Sequence, residues 1–145
     1  MRKLCSVHWT GTDVVISLQH ELPGSELRLL MPMAKLSTFN LTIESLGQAM
    51  MCVLSSPGIL KEKLDFKAAT KAMVEFAGFK SWRAFADATE SYCSVETADG
   101  QAKIRESFRD GAGFGSSYGD GGKCVTCKLT ADSLGRSLFD VLGLA

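Results

Sequence analysis

In the first third of the chain, hydrophobic residues recur at every second position. Val14, Ile16 and Leu18 lie at every second position, and the same spacing resumes around Leu29 after a Pro-Gly sequence. Because successive side chains of a strand point to opposite faces, this alternation predicts two strands joined by a turn. A shorter stretch over residues 6–9 predicts a further strand before them.

Later stretches place their hydrophobic residues at helical spacing. In the range 41–54, Thr42 can cap the helix and a Ser-Ser-Pro-Gly sequence ends it. The stripe over 66–77 stops at Gly78, a residue suited to the left-handed position after a helix, and Ser81 can then cap a shorter segment. These residues predict three helices in the middle of the chain.

In the second half of the chain the spacing returns to every second position. A strand leads to an Asp-Gly dipeptide typical of a hairpin turn, and Phe108 continues the mostly apolar face of the return strand, which Glu106 interrupts. A glycine-rich loop then spans 111–122, and a strand over 123–129 runs directly into a last helix. This half therefore predicts antiparallel strands followed by a helix.

The beginnings of two predicted helices share a sequence pattern. Residues 41–47 and 129–135 both read Leu-Thr, any residue, an acid, then Ser-Leu-Gly. A glycine inside a helix costs about 1 kcal/mol relative to alanine, so its presence in both predicts a position where backbone approaches backbone. We predict an α+β fold with an antiparallel sheet and flanking helices, in which strands followed by a helix form a pseudo-repeat and the helices of 60–90 connect the halves. Convergent capping chemistry is the alternative to a repeat.

The composition predicts a single domain over residues 1–145. Hydrophobic residues make up 46% of the chain, enough for a core without disulfides or a structural metal. Its 16 Lys and Arg balance 16 Asp and Glu, and no segment concentrates the basic charge that nucleic-acid binding uses. No stretch approaches the roughly 18 apolar residues of a membrane-spanning helix, and no apolar run follows the basic start, so we expect a cytoplasmic protein without a membrane partner.

Five cysteines are an odd number, so they cannot all pair within the chain. We expect reduced, mostly buried thiols. Cys124 and Cys127 have the spacing of a metal-binding pair, but residues three apart on a strand face opposite ways, so one metal ion cannot take both. His8 and His20 are remote from that pair and are expected at the surface or at strand ends. The sequence therefore indicates no metal site.

The glycine-rich loop 111–122 contains two further patterns that could indicate a catalytic or phosphate-binding site. Its residues 115–119 match Gly-x-Ser-x-Gly, yet no histidine follows His20 to act as a base. A phosphate-binding loop would need glycine where Ser117 stands and Ser or Thr where Cys124 stands. These departures predict no catalytic residue and no cofactor.

Three aromatic side chains are candidate anchors for a protein partner. Trp82 follows a bend after Gly78 that can leave its ring partly exposed. Phe114 and Tyr118 lie in the glycine-rich loop, which we expect to be a connection available for contact.

Two other functions remain open. A small ligand-binding domain or enzyme would use loop 111–122 as a lid or anion cradle and would need a concave pocket. A single-stranded nucleic acid binder would need clustered cations and stacking aromatics on one face. Lys103, Arg105 and Arg109, on one arm of the predicted hairpin, provide only the beginning of such a cluster.

Four short motifs are spread over residues 41–145. They are Leu-Gly-x-Ala at 46–49, Gly-Phe-Lys-Ser-Trp-Arg-Ala-Phe at 78–85, Ser-Val-Glu at 94–96 and Ser-Leu-Gly at 133–135. Taken in this order, they resemble bacterial immunity proteins of contact-dependent growth inhibition systems.

The resemblance implies a cytoplasmic, non-catalytic protein that needs no cofactor. Such proteins bind the toxic C-terminal domain of a large secreted effector, often a nuclease, and neutralise it by covering its active site. The toxin-facing surfaces vary in this family, so no residue set transfers by motif. We expect partner contacts from shape, from the aromatic anchors and from local carboxylates such as Asp110 and Asp120.

Overall fold

The computed structural model describes residues 3–21, 28–55, 66–110, 113–116 and 122–144. The strands are β1 (Lys3–Trp9), β2 (Asp13–Glu21), β3 (Arg28–Ser37), β4 (Ser91–Ala98), β5 (Gln101–Asp110), β6 (Gly113–Ser116) and β7 (Cys124–Lys128). The helices are α1 (Ile43–Ser55), α2 (Phe66–Ala77), α3 (Trp82–Ala88) and α4 (Ala131–Leu142), with a 3₁₀ turn at Thr38–Asn40. Within the described ranges, seven strands form one antiparallel sheet flanked by the helices, which confirms the α+β class.

β1 and β4 occupy the centre of the sheet, whose strand order is β3-β2-β1-β4-β5. Beyond β5 the sheet continues as two short strands on one edge, because β7 pairs with Gln101–Arg105 and β6 with Ser107–Asp110. β6 lies inside the segment predicted to be a loop, so that prediction is wrong for Gly113–Ser116. Hydrogen bonding to the edge of β5 overrides the low strand propensity of its glycines.

The two halves of the sheet are related by a pseudo-twofold repeat. A Cys-Ser-Val sequence that ends at Val7 in β1 recurs 88 residues later, ending at Val95 in β4. Val7 pairs with Ile16 on β2, and Val95 pairs with Ile104 on β5. Both members of the second pair thus lie 88 residues after those of the first. The shared helix motif also recurs after 88 residues. Each half therefore consists of antiparallel strands followed by a helix, which confirms the predicted repeat.

The two repeated helices pack against each other through their glycines. A Cβ atom on Gly47 would overlap the backbone carbonyl group of Ala131, at the start of α4. A Cβ atom on Gly135 would overlap the backbone carbonyl group of Ile43, at the start of α1. The contact is reciprocal, as a twofold relation requires, and it confirms the predicted approach of backbone to backbone.

Three helices begin at capping residues, of which Thr42 and Ser81 are the predicted ones and Thr130 is the equivalent of Thr42 in the repeat. Thr42 and Thr130 each accept a hydrogen bond at Oγ1 from the backbone N–H group three residues later, at 3.0 and 3.3 Å. Ser81 does the same at the start of α3, at 3.1 Å. Each bond satisfies a donor that the first helical turn leaves open. Of the described helices, none is long and apolar enough to cross a membrane.

The predicted turn residues also adopt the expected backbone conformations. Asp99 and Gly100 have φ angles of 53° and 75° between β4 and β5. Both values are positive, as the favoured two-residue hairpin turn requires. Gly78 ends α2 with a φ angle of 89°. The Pro-Gly turn predicted near residues 22–24 lies outside the described residues.

The two halves differ in how their third strand is built and connected. β3 is continuous, whereas the equivalent edge in the second half is divided between β6 and β7. The 3₁₀ turn Thr38–Asn40 connects Ser37 to Leu41, whereas Lys128 is followed directly by Leu129 at the equivalent place. The first half therefore carries a three-residue turn that the second half lacks.

The larger core lies between α1, α4 and one face of the sheet, which we name the first face. Its buried residues come from both halves of the repeat. They include Cys5, Val7, Ile16, Leu46, Met50, Cys93, Val95, Ile104, Leu134 and Leu138. Burial of each large aliphatic side chain here contributes about 1.5–3 kcal/mol.

The opposite face of the sheet, named the second face, is covered over the first half by α2 and α3. Val15 on β2 packs with Met73, Val74 and Ala77 of α2 and with Phe85 of α3. These two helices are the predicted connection between the halves. Their position makes the second face an interior surface in the first half of the repeat.

Candidate partner-binding surface

Trp82, the first residue of α3, lies at the edge of the second-face cluster. Its indole ring meets Phe85 nearly edge-on at a centroid distance of 5.5 Å and His8 at 6.3 Å. The side chain is only partly buried. Trp82 thus divides its surface between core packing and solvent, and its role in partner binding stays a prediction.

His8 lies in the interior, so its expected position at the surface is wrong. Its side chain is fully buried on the second face, with the rings of Phe85 and Tyr92 at centroid distances of 4.8 and 4.4 Å. Burial lowers the pKa of His8 to about 3, because the charged imidazolium would lose its hydration there. His8 is therefore neutral at physiological pH. The side chain of His20 lies outside the described part of the chain.

The other predicted partner residues belong to the region around β6. Asp110 is the last residue of β5, and Phe114 on β6 pairs with Arg109, so these two positions share one hairpin. The side chains of Asp110 and Phe114 are outside the described part of the structure. Tyr118 and Asp120 are outside the described residues altogether. The hairpin is separate in sequence from Trp82 on α3, and the contacts predicted for these residues remain predictions.

The second face becomes polar across β4, β5 and β7. Lys103 and Arg105 share this face, and the cross-strand partner of Lys103 is Glu96. Lys128 stands exposed on the neighbouring β7, and the side chain of Arg109 lies outside the description. Among the described side chains, three cations and one carboxylate therefore share this surface.

Equivalent positions of the repeat differ in chemistry on the second face. Val15 and Ser17 are fully buried in the first half, and their equivalents 88 residues later are Lys103 and Arg105. Lys103 is exposed and Arg105 only partly buried. The same sheet face is thus interior where α2 and α3 cover it and surface in the second half.

Two exposed aromatic side chains were not singled out by sequence reasoning. Phe39, in the 3₁₀ turn, is 94% exposed, and Phe108 on β5 is 47% exposed. Phe108 lies on the predicted return strand, β5, but its side chain is not part of the buried core. Phe39 carried no sequence signal except an aromatic residue inside a polar Ser-Thr-Phe-Asn segment.

The cysteines are free, but the expectation of mostly buried thiols is wrong. Cys5 and Cys93 are buried in the first-face core, whereas Cys52 and Cys124 are exposed. Cys127 is partly buried and packs against the first-face core, so the two β7 cysteines face opposite ways as predicted. Among the described residues, no three His, Cys, Asp or Glu side chains come together to hold a metal ion.

A thiol reagent is expected to distinguish these cysteines in the folded protein. Cys52 and Cys124 should react quickly, whereas Cys5 and Cys93 should react only after unfolding. Both buried thiols have no exposed area, and burial raises the pKa of Cys5 to about 12 and the pKa of Cys93 further. Mass spectrometry of peptides after a maleimide pulse, with and without urea, measures the pattern.

The control for this labelling experiment is Cys124→Ser. This variant should lose one fast site and keep the reactivity of Cys52. If Cys5 or Cys93 reacts in native buffer as fast as Cys52, the described burial of the first-face core is wrong.

The fold is thus an open antiparallel sheet with a glycine-packed helix pair on the first face and shorter helices on half of the second. It is similar to the fold of a chain in a CdiA-CT/CdiI toxin and immunity complex from Yersinia pseudotuberculosis. The TM-score is 0.70 at 14% sequence identity, and the match covers 100% of this chain and 98% of that chain.

A protein of unknown function from Neisseria meningitidis has a similar fold. The TM-score is 0.68 at 15% identity, covering 99% of this chain and 93% of that chain. No family model and no curated protein matches the sequence. At these identities the similarity concerns the fold, which agrees with the resemblance to immunity proteins noted in the sequence.

Proposed function

We propose that this chain is an immunity protein that binds the toxic C-terminal domain of a contact-dependent growth inhibition effector and neutralises it. The observation that carries the proposal is the similarity to a chain of a toxin and immunity complex, which extends over 100% of this chain. In this proposal the protein acts in the cytoplasm as a stoichiometric inhibitor.

The four motifs that resemble the immunity family lie on elements that build the scaffold. Residues 46–49 and 133–135 contain the glycines through which α1 and α4 pack. Residues 78–85 connect α2 to α3, and 94–96 lie on the central strand β4. The sequence resemblance and the structural similarity therefore concern the same architecture, and their agreement supports the proposal.

His8 and Cys5, two ionisable groups buried in the described core, have no catalytic role in this proposal. The pKa of His8 is lowered to about 3, and the pKa of Cys5 is raised to about 12. Both groups are therefore neutral near pH 7, so His8 carries no proton to donate as imidazolium and Cys5 is not a thiolate nucleophile. In the proposed mechanism a rigid surface covers the active site of the toxin, and affinity comes from complementarity of shape and charge.

Co-expression tests the proposal directly. Cells that produce the toxic C-terminal domain encoded immediately upstream of this chain are expected to survive only when this chain is also produced. A catalytically inactive form of the toxin domain should copurify with this chain as an equimolar complex. If the toxin is a nuclease, its cleavage of nucleic acid should fall in proportion to the protein added and stop at equimolar amounts.

The inactive toxin domain is also the control, because it separates binding from survival. Cell death despite soluble expression of this chain, together with the absence of a complex with the inactive domain, would rule the proposal out.

A further inference from the structure

The 3₁₀ turn Thr38–Asn40 holds the phenyl ring of Phe39 in solvent. The ring is 94% exposed, although the turn itself is firmly attached. The backbone N–H of Thr38 donates to the carbonyl oxygen of Thr12 at 2.9 Å, and the indole Nε1 of Trp9 donates to Thr38 Oγ1 at 3.2 Å. Leu41 N donates to Thr38 O at 3.3 Å and closes the turn. A fixed backbone presents the ring at a low entropy cost for binding.

The fold does not need this turn to join its third strand to its helix. In the second half of the repeat, Lys128 leads directly to Leu129 without any inserted residue. Isolated exposed apolar residues are common on protein surfaces. Phe39 differs because it lies in a turn that the equivalent half lacks, and because that turn is held by hydrogen bonds with Trp9 on β1 and with Thr12 in the β1–β2 turn.

The surroundings of Phe39 are acidic. Asp13 pairs with Ser37 at the start of β2, and Glu44 is exposed in the first turn of α1. The Glu90 carboxylate lies against Gly11 in the β1–β2 turn, where an added Cβ would be 3.2 Å from its Oε1. We name Phe39 with these three carboxylates the Phe39 surface.

No cation balances the acidic groups within the segments that build this surface. Residues 9–13, 36–48 and 89–91 are all described, and they contain no Lys or Arg. Lys35 lies just before them on β3, but its Nζ atom is directed to the second face, 6.0 Å from the centroid of the Phe76 ring. The chain as a whole has a formal net charge of zero, whereas the charged side chains of these three segments are all acidic.

We infer that the Phe39 surface docks a basic protein surface that contains an apolar recess for the phenyl ring. This inference rests on the proposed function, and the basic surface is then that of the toxin domain. An aromatic anchor that fills a pocket on the partner is typical of an interaction hot spot. The carboxylates repel nucleic acid and attract cationic side chains, so charge complementarity selects a protein partner and speeds its association.

The inference is tested by the affinity of the inactive toxin domain for variants of the full chain. Phe39→Ala should weaken binding by roughly 30-fold or more, as expected for a buried aromatic anchor. Glu44→Gln combined with Glu90→Gln should slow association at low salt and change it little at high salt. Because these side chains are exposed, urea unfolding should show unchanged stability in both variants.

Phe108→Ala is the matched comparison, because it removes the other exposed phenyl ring of the described chain. It should leave the affinity unchanged. If the wild-type chain binds and Phe39→Ala binds equally well, or if Phe108→Ala alone weakens binding, the Phe39 surface is not the docking site while the proposed function stands. If the wild-type chain does not bind the toxin domain, the proposed function and this inference are both overturned.

Discussion

Replacement of Gly47 by alanine is expected to lower the free energy of unfolding by about 3 kcal/mol. Helix propensity alone predicts the opposite sign, a gain of about 1 kcal/mol, because alanine is the better helix former. The new methyl group would overlap the backbone carbonyl of Ala131, which cannot rotate away as a flexible side chain can, so α1 and α4 must move apart. Urea unfolding followed by circular dichroism measures the change.

Two further variants make this result specific. Gln48→Ala alters the exposed neighbour in the same helix and should change the free energy of unfolding by less than about 0.5 kcal/mol. Gly135→Ala should be as destabilising as Gly47→Ala, since Gly135 meets Ile43 in the equivalent contact. A Gly47→Ala protein that is as stable as the wild type would show that the helices do not pack through this glycine.

Acidification is expected to destabilise the protein through His8. Burial lowers the pKa of His8 to about 3 in the folded chain, compared with 6.5 for an ordinary histidine. Between these values the unfolded chain binds a proton that the folded chain excludes. The contribution of neutral His8 is therefore complete above pH 6.5 and is lost as the pH falls toward 3. The expected loss is about 2–3 kcal/mol between about pH 7 and pH 4.5.

His8→Phe separates this titration from other effects of acid. The variant keeps an aromatic ring beside Phe85 and Tyr92 but has no group that titrates near neutral pH. The dependence of its unfolding free energy on pH should be flatter than that of the wild type, most clearly between about pH 7 and pH 5, where most carboxylates remain ionised. Comparison of slopes removes any constant difference in packing. Identical slopes in both proteins would mean that His8 is not held neutral in the folded state.

The departures from the pseudo-twofold repeat locate the surfaces that differ between the halves. The second face is interior at Val15 and exposed at its equivalent, Lys103, because α2 and α3 cover only the first half. The 3₁₀ turn that carries Phe39 belongs to the first half alone. A scaffold built from two similar halves thus exposes different side chains in each half, namely Phe39 in the first and the charged residues of the second face in the second.

The predicted partner residues show what a sequence pattern can and cannot place. The partial exposure of Trp82 follows from a bend and a cap, which are local features, and the structure confirms that exposure but not a role in binding. The exposure of Phe39 is not predictable in this way, because an aromatic residue in a polar segment looks the same whether its ring turns inward or outward. Hydrogen bonds of Thr38 with Trp9 and Thr12, which are distant in sequence, hold that turn in place.

The sequence by itself determined the local structure: the class of the fold, most strands and helices, the threonine caps and the Asp-Gly turn. These features depend on spacing and on residues within a few positions of one another, so a linear pattern contains them. Only the tertiary structure decided the pairing of β6 with β5 and the burial of His8. It also decided which half of the second face is covered. These outcomes arise from contacts between elements remote in the chain, where burial and backbone hydrogen bonding outweigh local preference.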